Sequence, residues 1–262
     1  HDIKADRDFL VEDQESTRQK KLDAGENIKS VYDYDGNLTA AIQGKIAKAF
    51  DSIEEFRQNI PAGKTTELTA FNNQEVRKLK KNLDTNFGFS LAPEEFYALM
   101  EQKDPEGLKQ KINLFVTSFY ENRYITATSF TKGEKEKGII LRDIKTHSEE
   151  ILSDINQVLN IKAVDTLLEK NFYTIFSKDN QGLKRAMLSL SKKLIEPNLT
   201  FNKETTEKKK TAAIDEVKPV FFQVQKNEMI VREGEKITAT EKAKLEAFFK
   251  AAGDNRFSSL AV

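Results

Sequence analysis

The sequence predicts an α+β fold that is mostly helical, with a small mixed sheet built from duplicated N- and C-terminal strand–helix–strand units. Three observations predict it. Glycine and proline are scarce, at 11 and 5 of 262 residues, which argues against a turn-dense all-β fold. The middle of the chain carries apolar residues at helical spacing. The two ends resemble each other: laying Asp13–Tyr32 over Asn202–Phe221 without a gap matches Glu15 to Glu204, Thr17 to Thr206, Ala24 to Ala213, Lys29 to Lys218 and Val31 to Val220.

Each copy reads the same way. An extended piece comes first, Asp8–Val11 or Asn198–Phe201. Asp13 or Asn202 then suits a helix N-cap. The helix that follows places Thr17, Ala24 and Ile28, or Thr206, Ala213 and Val217, on one face. A strand rich in β-branched and aromatic residues closes each copy, Val31–Tyr34 or Val220–Val224. Pro219 enforces the second break by disfavouring helical geometry at Lys218. Pairing these two strands in one mixed sheet would bury Val31, Val220 and Phe222.

Between the copies, residues 39–195 form a helical middle. Helices are expected over Thr39–Asn59, Gln74–Leu83, Pro93–Met100 and Pro105–Arg123. Thr131–Gly138 (TKGEKEKG) reads as a solvated loop and Gly138–Ile144 as a strand. His147–Leu159, Val164–Phe176 and Gln181–Ile195 read as helices. After the second copy, residues 225–252 predict a closing hairpin and helix. A turn falls at Lys226-Asn227, a strand at Met229–Arg232 and a tight turn at Glu233-Gly234. Thr238 and Glu241 make a capping box for a helix over Ala239–Ala252, and Gly253 fits its C′ position.

Composition excludes several chemistries. Lys plus Arg and Asp plus Glu are both 42, so no global positive field marks a nucleic-acid partner. Without cysteine there is no disulfide, thiolate metal site or Cys nucleophile. No apolar run reaches the roughly 18–20 residues of a membrane span, and no signal peptide is visible, so the chain reads as a soluble piece, mature or excised. His1 and His147 are the only histidines, too few for an HD-type metal centre, and whether His1 is native stays open. Asp143, His147 and Glu150 read as an ordinary exposed junction rather than a metal site. Phosphate-binding, dinucleotide-binding and nucleophile-elbow motifs are missing. No catalytic residue, metal ligand or cofactor is assigned to this fragment.

Strand Val31–Asp35 is the most distinctive surface, because Tyr32 and Tyr34 share one face while Asp33 and Asp35 share the other. It also opens a resemblance. IKADRDFLVEDQESTRQKKLDAGENIKSVYDYD (Ile3–Asp35) resembles the start of the 7TMR-HDED family, the extracytoplasmic domain of seven-transmembrane HD hydrolases of the PgpH type. Glu196–Val220, GIILRDI (Gly138–Ile144) and IVREGEKIT (Ile230–Thr238) fit the same family, while the rest of the middle fits weakly. The resemblance implies a single extracytoplasmic sensor domain over residues 1–262, with repeat units near 8–35 and 197–224. It implies a membrane-bound bacterial parent whose cytoplasmic HD module hydrolyses cyclic di-AMP. Tyr34, Asp35, Arg142 and Arg232 are the ligand-binding candidates. The expected partners are an envelope ligand or protein, the parent's own transmembrane helices and HD module, and a second copy in a homodimer. Two other readings stay open: an envelope interaction or dimerisation scaffold, and an independent hydrolase using scattered carboxylates.

Overall fold

A computed structural model describes residues 2–59, 74–176, 179–251 and 253; His1 lies outside them. In chain order the elements are β1 (Ile3–Lys4), β2 (Phe9–Glu12), α1 (Gln14–Asn27), β3 (Val31–Tyr34), α2 (Leu38–Gln58), α3 (Gln74–Phe87), α4 (Pro93–Met100) and α5 (Pro105–Thr117). Then follow β4 (Tyr124–Thr126), α6 (Lys132–Lys137), β5 (Ile139–Asp143), β6 (Glu149–Leu152), β7 (Val158–Asn160), α7 (Ile161–Ile175) and α8 (Gln181–Leu194). The chain closes with β8 (Leu199–Phe201), α9 (Lys203–Asp215), β9 (Phe221–Val224), β10 (Met229–Val231) and α10 (Ala239–Ala251). The class is α+β, as the composition and periodicity predict. The chain divides into two compact units, one from His1–Lys29 and Lys203–Val262, the other from Ser30–Asn202.

The unit made from the two ends holds two short antiparallel ladders, β1·β10 and β2·β9. Strand β2 alternates, turning Phe9 and Val11 inward and Leu10 and Glu12 outward. Its core is small: Ala5, Phe9, Val11, Val224, Ile230 and Leu245, with Phe248 of α10 packed on Phe9 at 5.8 Å between ring centroids. Helix α1 begins where Asp13 Oδ1 accepts the Ser16 N–H at 2.9 Å. Helices α1 and α9 pack together although neither has a broad apolar stripe; Thr17, Gly25 and Thr206 are their buried residues. Gly25 permits that approach, since a Cβ there would lie 3.0 Å from Ile214 Cδ1. Thr238 and Glu241 close the expected capping box, and Gly234 turns with φ +81°.

The Ser30–Asn202 unit holds a six-stranded mixed sheet ordered β6-β5-β3-β8-β4-β7. Strand β3 runs parallel to β5 and antiparallel to β8. The large core lies among α2–α5, α7 and α8, where Ile42, Ile46, Leu83, Phe96, Ile112, Phe115 and Phe172 are fully enclosed. Those side chains fall at three- and four-residue spacings, which is why the helical reading of this region succeeds. Within it Glu95, 1% exposed, is held by Lys193 Nζ at 2.6 Å and by the Ala92 N–H at 2.6 Å.

Three expectations are corrected. The two closing strands of the copies do not share a sheet: β3 sits in the six-stranded sheet, and among the described residues β9 pairs with β2. Instead, the first strand of each copy pairs with the last strand of the other. Shifting both partners by the repeat offset that lays Asp13 on Asn202 converts one ladder into the other. Leu10↔Gln223 becomes Leu199↔Tyr34, Val11↔Phe222 becomes Thr200↔Asp33, and Glu12↔Phe221 becomes Phe201↔Tyr32. The flanking bonds match as well, Asp13 N–H to Val220 O and Asn202 N–H to Val31 O, both 2.8 Å. Second, Thr131–Gly138 contains helix α6. Its six residues are held by a capping box between Thr131 and Glu134 and stopped by Gly138 at φ +76°. Third, His147–Leu159 is not a helix. It supplies β6, a 3₁₀ turn at Ile155–Gln157 and β7, because β6 pairs antiparallel with β5 and Asp154 caps the turn.

Candidate functional site

Three of the four candidate residues, Tyr34, Asp35 and Arg142, lie on or just beyond the neighbouring strands β3 and β5, with Arg142 on one face of the sheet and Tyr34 on the other. The parallel register sets Asp33 beside Arg142 and Tyr34 beside Asp143. Arg232 belongs to the other unit, where its exposed side chain follows β10 and its carbonyl closes the Gly234 turn by accepting the Glu235 N–H at 3.2 Å.

Arg142 is engaged from both neighbouring strands. It faces Asp33 at 3.9 Å across β3, stands opposite Glu149 in the β5·β6 ladder, and lies 3.2 Å from His147 Nδ1. Asp33 is shared further, since its Oδ2 accepts the Asn202 side-chain amide at 2.8 Å. A row Glu149–Arg142–Asp33–Thr200 therefore crosses four strands on one face. Alternating charge along such a row fixes strand register. Asp35 also works locally, accepting the Asn37 N–H at 2.9 Å in the turn that starts α2. Asp143 accepts the Lys145 and Thr146 N–H groups at 2.9 and 2.7 Å, and the Thr146 hydroxyl at 3.0 Å. These bonds hold its carboxyl below the ordinary range. They also shape the loop that sets His147 at φ +59°.

The opposite face carries the aromatic groups. Tyr34 meets Tyr124 edge-on at 5.2 Å, and both are half-buried. Burial raises the pKa of both hydroxyls. The charges of Asp143, Asp35 and Glu150 add to the rise at Tyr34, and Glu150 adds to it at Tyr124. Tyr32, 2% exposed, donates to Glu134 Oε1 at 3.0 Å, and burial pushes its pKa far up. Burial opposes ionisation of Glu134, but hydrogen bonds from Thr131, Ser30 and Tyr32 keep its carboxyl below the usual value. The face thus combines neutral phenols with carboxylates along its rim, suited to recognising a group by shape and hydrogen bonding rather than to proton transfer.

Sequence reasoning placed Tyr34, Asp35 and Arg142 on or beside strands and put Asp33 on the face of Asp35, but it did not pair Asp33 with Arg142, grouped Glu150 only with Asp143 and His147, and missed Tyr124 and Glu149. Only strand pairing joins them, and the misread His147–Leu159 segment hid β6. Among the described residues, no group of three or more His, Asp or Glu side chains is arranged to hold a metal ion. No described helix is long and apolar enough to cross a membrane.

In comparison with known proteins, the model of the 7TMR-HDED family, described as 7TM-HD extracellular, matches residues 1–250. No curated protein matches the chain, and no solved structure matches it.

Proposed function

Since the chain belongs to the 7TMR-HDED family, the extracellular domains of 7TM-HD proteins, we propose that it is the non-catalytic sensor or regulatory domain of a bacterial membrane HD-family phosphohydrolase. In this reading the parent is a metal-dependent cyclic-di-AMP phosphodiesterase, and the domain stands on the extracytoplasmic face of its membrane. The observation that carries the proposal is the family match across nearly the whole chain. The make-up of the β3–β5 site is compatible with that role: Arg142 and Asp33 face each other at 3.9 Å between neighbouring strands, and the Tyr34–Tyr124 pair forms a half-buried aromatic surface on the other face.

A domain of this kind acts on a distant catalytic module only by having two conformations that a ligand binds unequally. Coupling of about 1–3 kcal/mol is typical and changes the activity balance about 5–150-fold. The test uses full-length parent enzyme in oriented proteoliposomes, with and without the segment equivalent to residues 3–250. The expected result is basal cyclic-di-AMP hydrolysis in both, with a response to cell-wall fragments added outside only in the intact protein. An identical response in both would remove the sensor reading. A second reading, an envelope protein-interaction scaffold, is favoured by the exposed Leu10 and Phe221.

A further inference from the structure

Tyr34 and Tyr124 come from strands that are not neighbours. Strand β8 lies between β3 and β4, setting Leu199 beside Tyr34 on one side and beside Thr126 on the other. Strands separated by one other strand are roughly 10 Å apart, yet the two ring centroids are only 5.2 Å apart. The rings therefore lean towards each other over β8, where Leu199 is 1% exposed. Their planes meet at 82°. One ring sets its edge against the other's face, so two π faces border a right-angled corner. Both tyrosines are half-buried, and Val158, opposite Tyr124 in the β4·β7 register, adds an apolar flank.

Charge around the corner has one sign. Burial raises the pKa of both hydroxyls first; beyond burial, the charges of Asp143, Asp35 and Glu150 act on Tyr34, and that of Glu150 acts on Tyr124. Glu150 is thus within electrostatic reach of both rings. Asp143 lies close as well: a Cβ at Gly36 would stand 3.3 Å from Tyr34 Cε1 and 3.7 Å from Asp143 Oδ2, so exposed Gly36 leaves that ring edge and that oxygen uncovered. Asp143 Oδ1 accepts the Lys145 and Thr146 N–H groups, and Asp35 Oδ1 accepts the Asn37 N–H. These donors are neutral and leave the carboxylate charge in place. Lys145 acts on Asp143 by its charge, but among the described residues none of the three carboxylates is ion-paired. Arg142 projects from the other face, towards Asp33. The hydroxyls differ from their relatives too. Tyr32 and Tyr120 donate to Glu134 and to the Glu196 carbonyl, whereas among the described residues those of Tyr34 and Tyr124 have no hydrogen-bond partner. Two π faces at right angles, beside unpaired negative charge, attract an organic cation through the ring quadrupoles. Apolar walls favour N-methyl groups over a strongly hydrated ion.

We propose that the Tyr34–Tyr124 corner binds a small methylated ammonium ion of the choline type, the rings holding its N-methyl groups and Glu150 facing its charge. For what binding does, the assignment rests on the sensor reading; whether binding occurs is independent of it and of cyclic-di-AMP chemistry in the parent.

The test titrates the whole chain with choline, with the uncharged isostere in which carbon replaces the nitrogen, and with potassium ion, followed by backbone amide NMR. Choline should shift Tyr34, Tyr124 and Glu150 saturably, and the isostere and potassium should bind about fivefold or more weakly. Tyr124→Leu should weaken choline by about fivefold or more, while Tyr124→Phe, which keeps the ring, should stay within about twofold of the parent chain. Should Tyr124→Leu disturb the fold, Glu150→Gln and Glu150→Lys at an exposed position provide the decision, with successively larger losses expected. Absence of saturable choline binding, equal binding of the isostere, or unchanged affinity in the folded Tyr124→Leu and Glu150→Lys variants would overturn the proposal. Flotation with phosphatidylcholine vesicles separates the sources. Vesicle binding that Glu150→Lys abolishes assigns the ammonium to a lipid headgroup, and free choline bound without vesicles assigns it to a solute. The two readings fail separately: absence of choline binding removes this site and leaves the sensor reading to its deletion test, whereas choline bound without effect on the reconstituted parent removes only the site's regulatory consequence.

Discussion

The two ladders invite comparison because sequence and pairing are matched while the surroundings are not. The β3·β8 ladder lies in the middle of a six-stranded sheet and is tied down from several sides. Tyr32 packs against Phe130 and Phe201, both at 5.4 Å. Tyr120 donates to Glu196 O at 2.8 Å and accepts the Glu196 N–H at 2.9 Å, pinning the segment that enters β8. The β2·β9 ladder relies on one core face, one helix and a few polar bonds, among them Val220 N–H to Thr17 Oγ1 at 2.9 Å. A two-stranded ribbon is marginal by itself and becomes stable through the element packed on it. The same local unit therefore acts as interior sheet in one place and, among the described residues, as a two-stranded ribbon in the other. Flanking sequence, not the copy itself, decides which.

The sharpest way to break the contrast is to strip the flank from the buried ladder. Gly138 starts β5, the neighbour of β3, with φ +76°, and a Cβ there would lie 2.5 Å from Leu152 O and 3.0 Å from Ser153 Cα. Both obstacles are backbone, so rotamer changes give no relief. Gly138→Ala is expected to cost about 3 kcal/mol or more, combining positive-φ strain with overpacking. Denaturant unfolding gives the total, and hydrogen exchange should show β5 and β6 opening first. A loss under about 1 kcal/mol would mean that the β5–β6 junction yields more easily than its packing implies.

In the open ladder the equivalent weak point is polar. Thr17→Val keeps shape but removes the acceptor of the Val220 N–H. Losing the acceptor of that part-buried donor should cost about 1 kcal/mol. Exchange at Val220 should accelerate while β3 is unaffected. Equal acceleration in both ladders would show that they unfold as one cooperative unit.

How much of this was legible depends on the range of the interaction that decides it. Local signals read correctly: Thr238 with Glu241, Pro93 at the first turn of α4, Asp13 as N-cap and Gly234 as a turn each act within a few residues. The repeat was visible in Thr17/Thr206 and Val31/Val220, but its exchanged pairing was not, because strand partners lie far apart in sequence. The residues after His147 show the same limit. Ile151, Ile155, Val158 and Leu159 have helical spacing, yet pairing of Ile151 with Ile140 and the left-handed backbone at His147 override it. For the candidate site, Tyr34 and Asp35 were readable as a strand end. The Glu149–Arg142–Asp33 row was not, since it exists only once β6, β5 and β3 lie side by side.

The pinning at Tyr120 predicts a pH effect of intermediate size. Burial pushes its pKa up to about 12, from an unfolded value near 10. The native state thus favours the protonated phenol. This stability is fully present below pH 10 and is lost as pH rises through about 12. Alkaline titration of stability should show a smaller decline in Tyr120→Phe than in the parent chain. At neutral pH the variant should be less stable by about 1–2 kcal/mol, since two hydrogen bonds to Glu196 disappear. An unchanged alkaline slope would assign the decline to another group, Tyr32 first, whose pKa is also raised by burial.

The smallest effect belongs to the open unit's own turn. Gly234 has φ +81°, nearly the value at Gly138, but an added Cβ would meet nothing within 4 Å. Backbone strain is then separated from crowding. Gly234→Ala should cost about 1 kcal/mol, the price of a left-handed backbone for a side chain bearing Cβ. Gly234→Asn should cost less, because asparagine tolerates that region and its amide can bond locally. The α10 capping box between Thr238 and Glu241 lies beyond the turn and should stay formed in both variants. Measured beside Gly138→Ala, Gly234→Ala shows what a positive φ costs where nothing crowds the side chain, whereas Gly138 combines φ +76° and ψ −175° with a neighbouring strand. If Gly234→Ala proves as damaging as Gly138→Ala, crowding by Leu152 adds nothing measurable and backbone strain alone accounts for both losses.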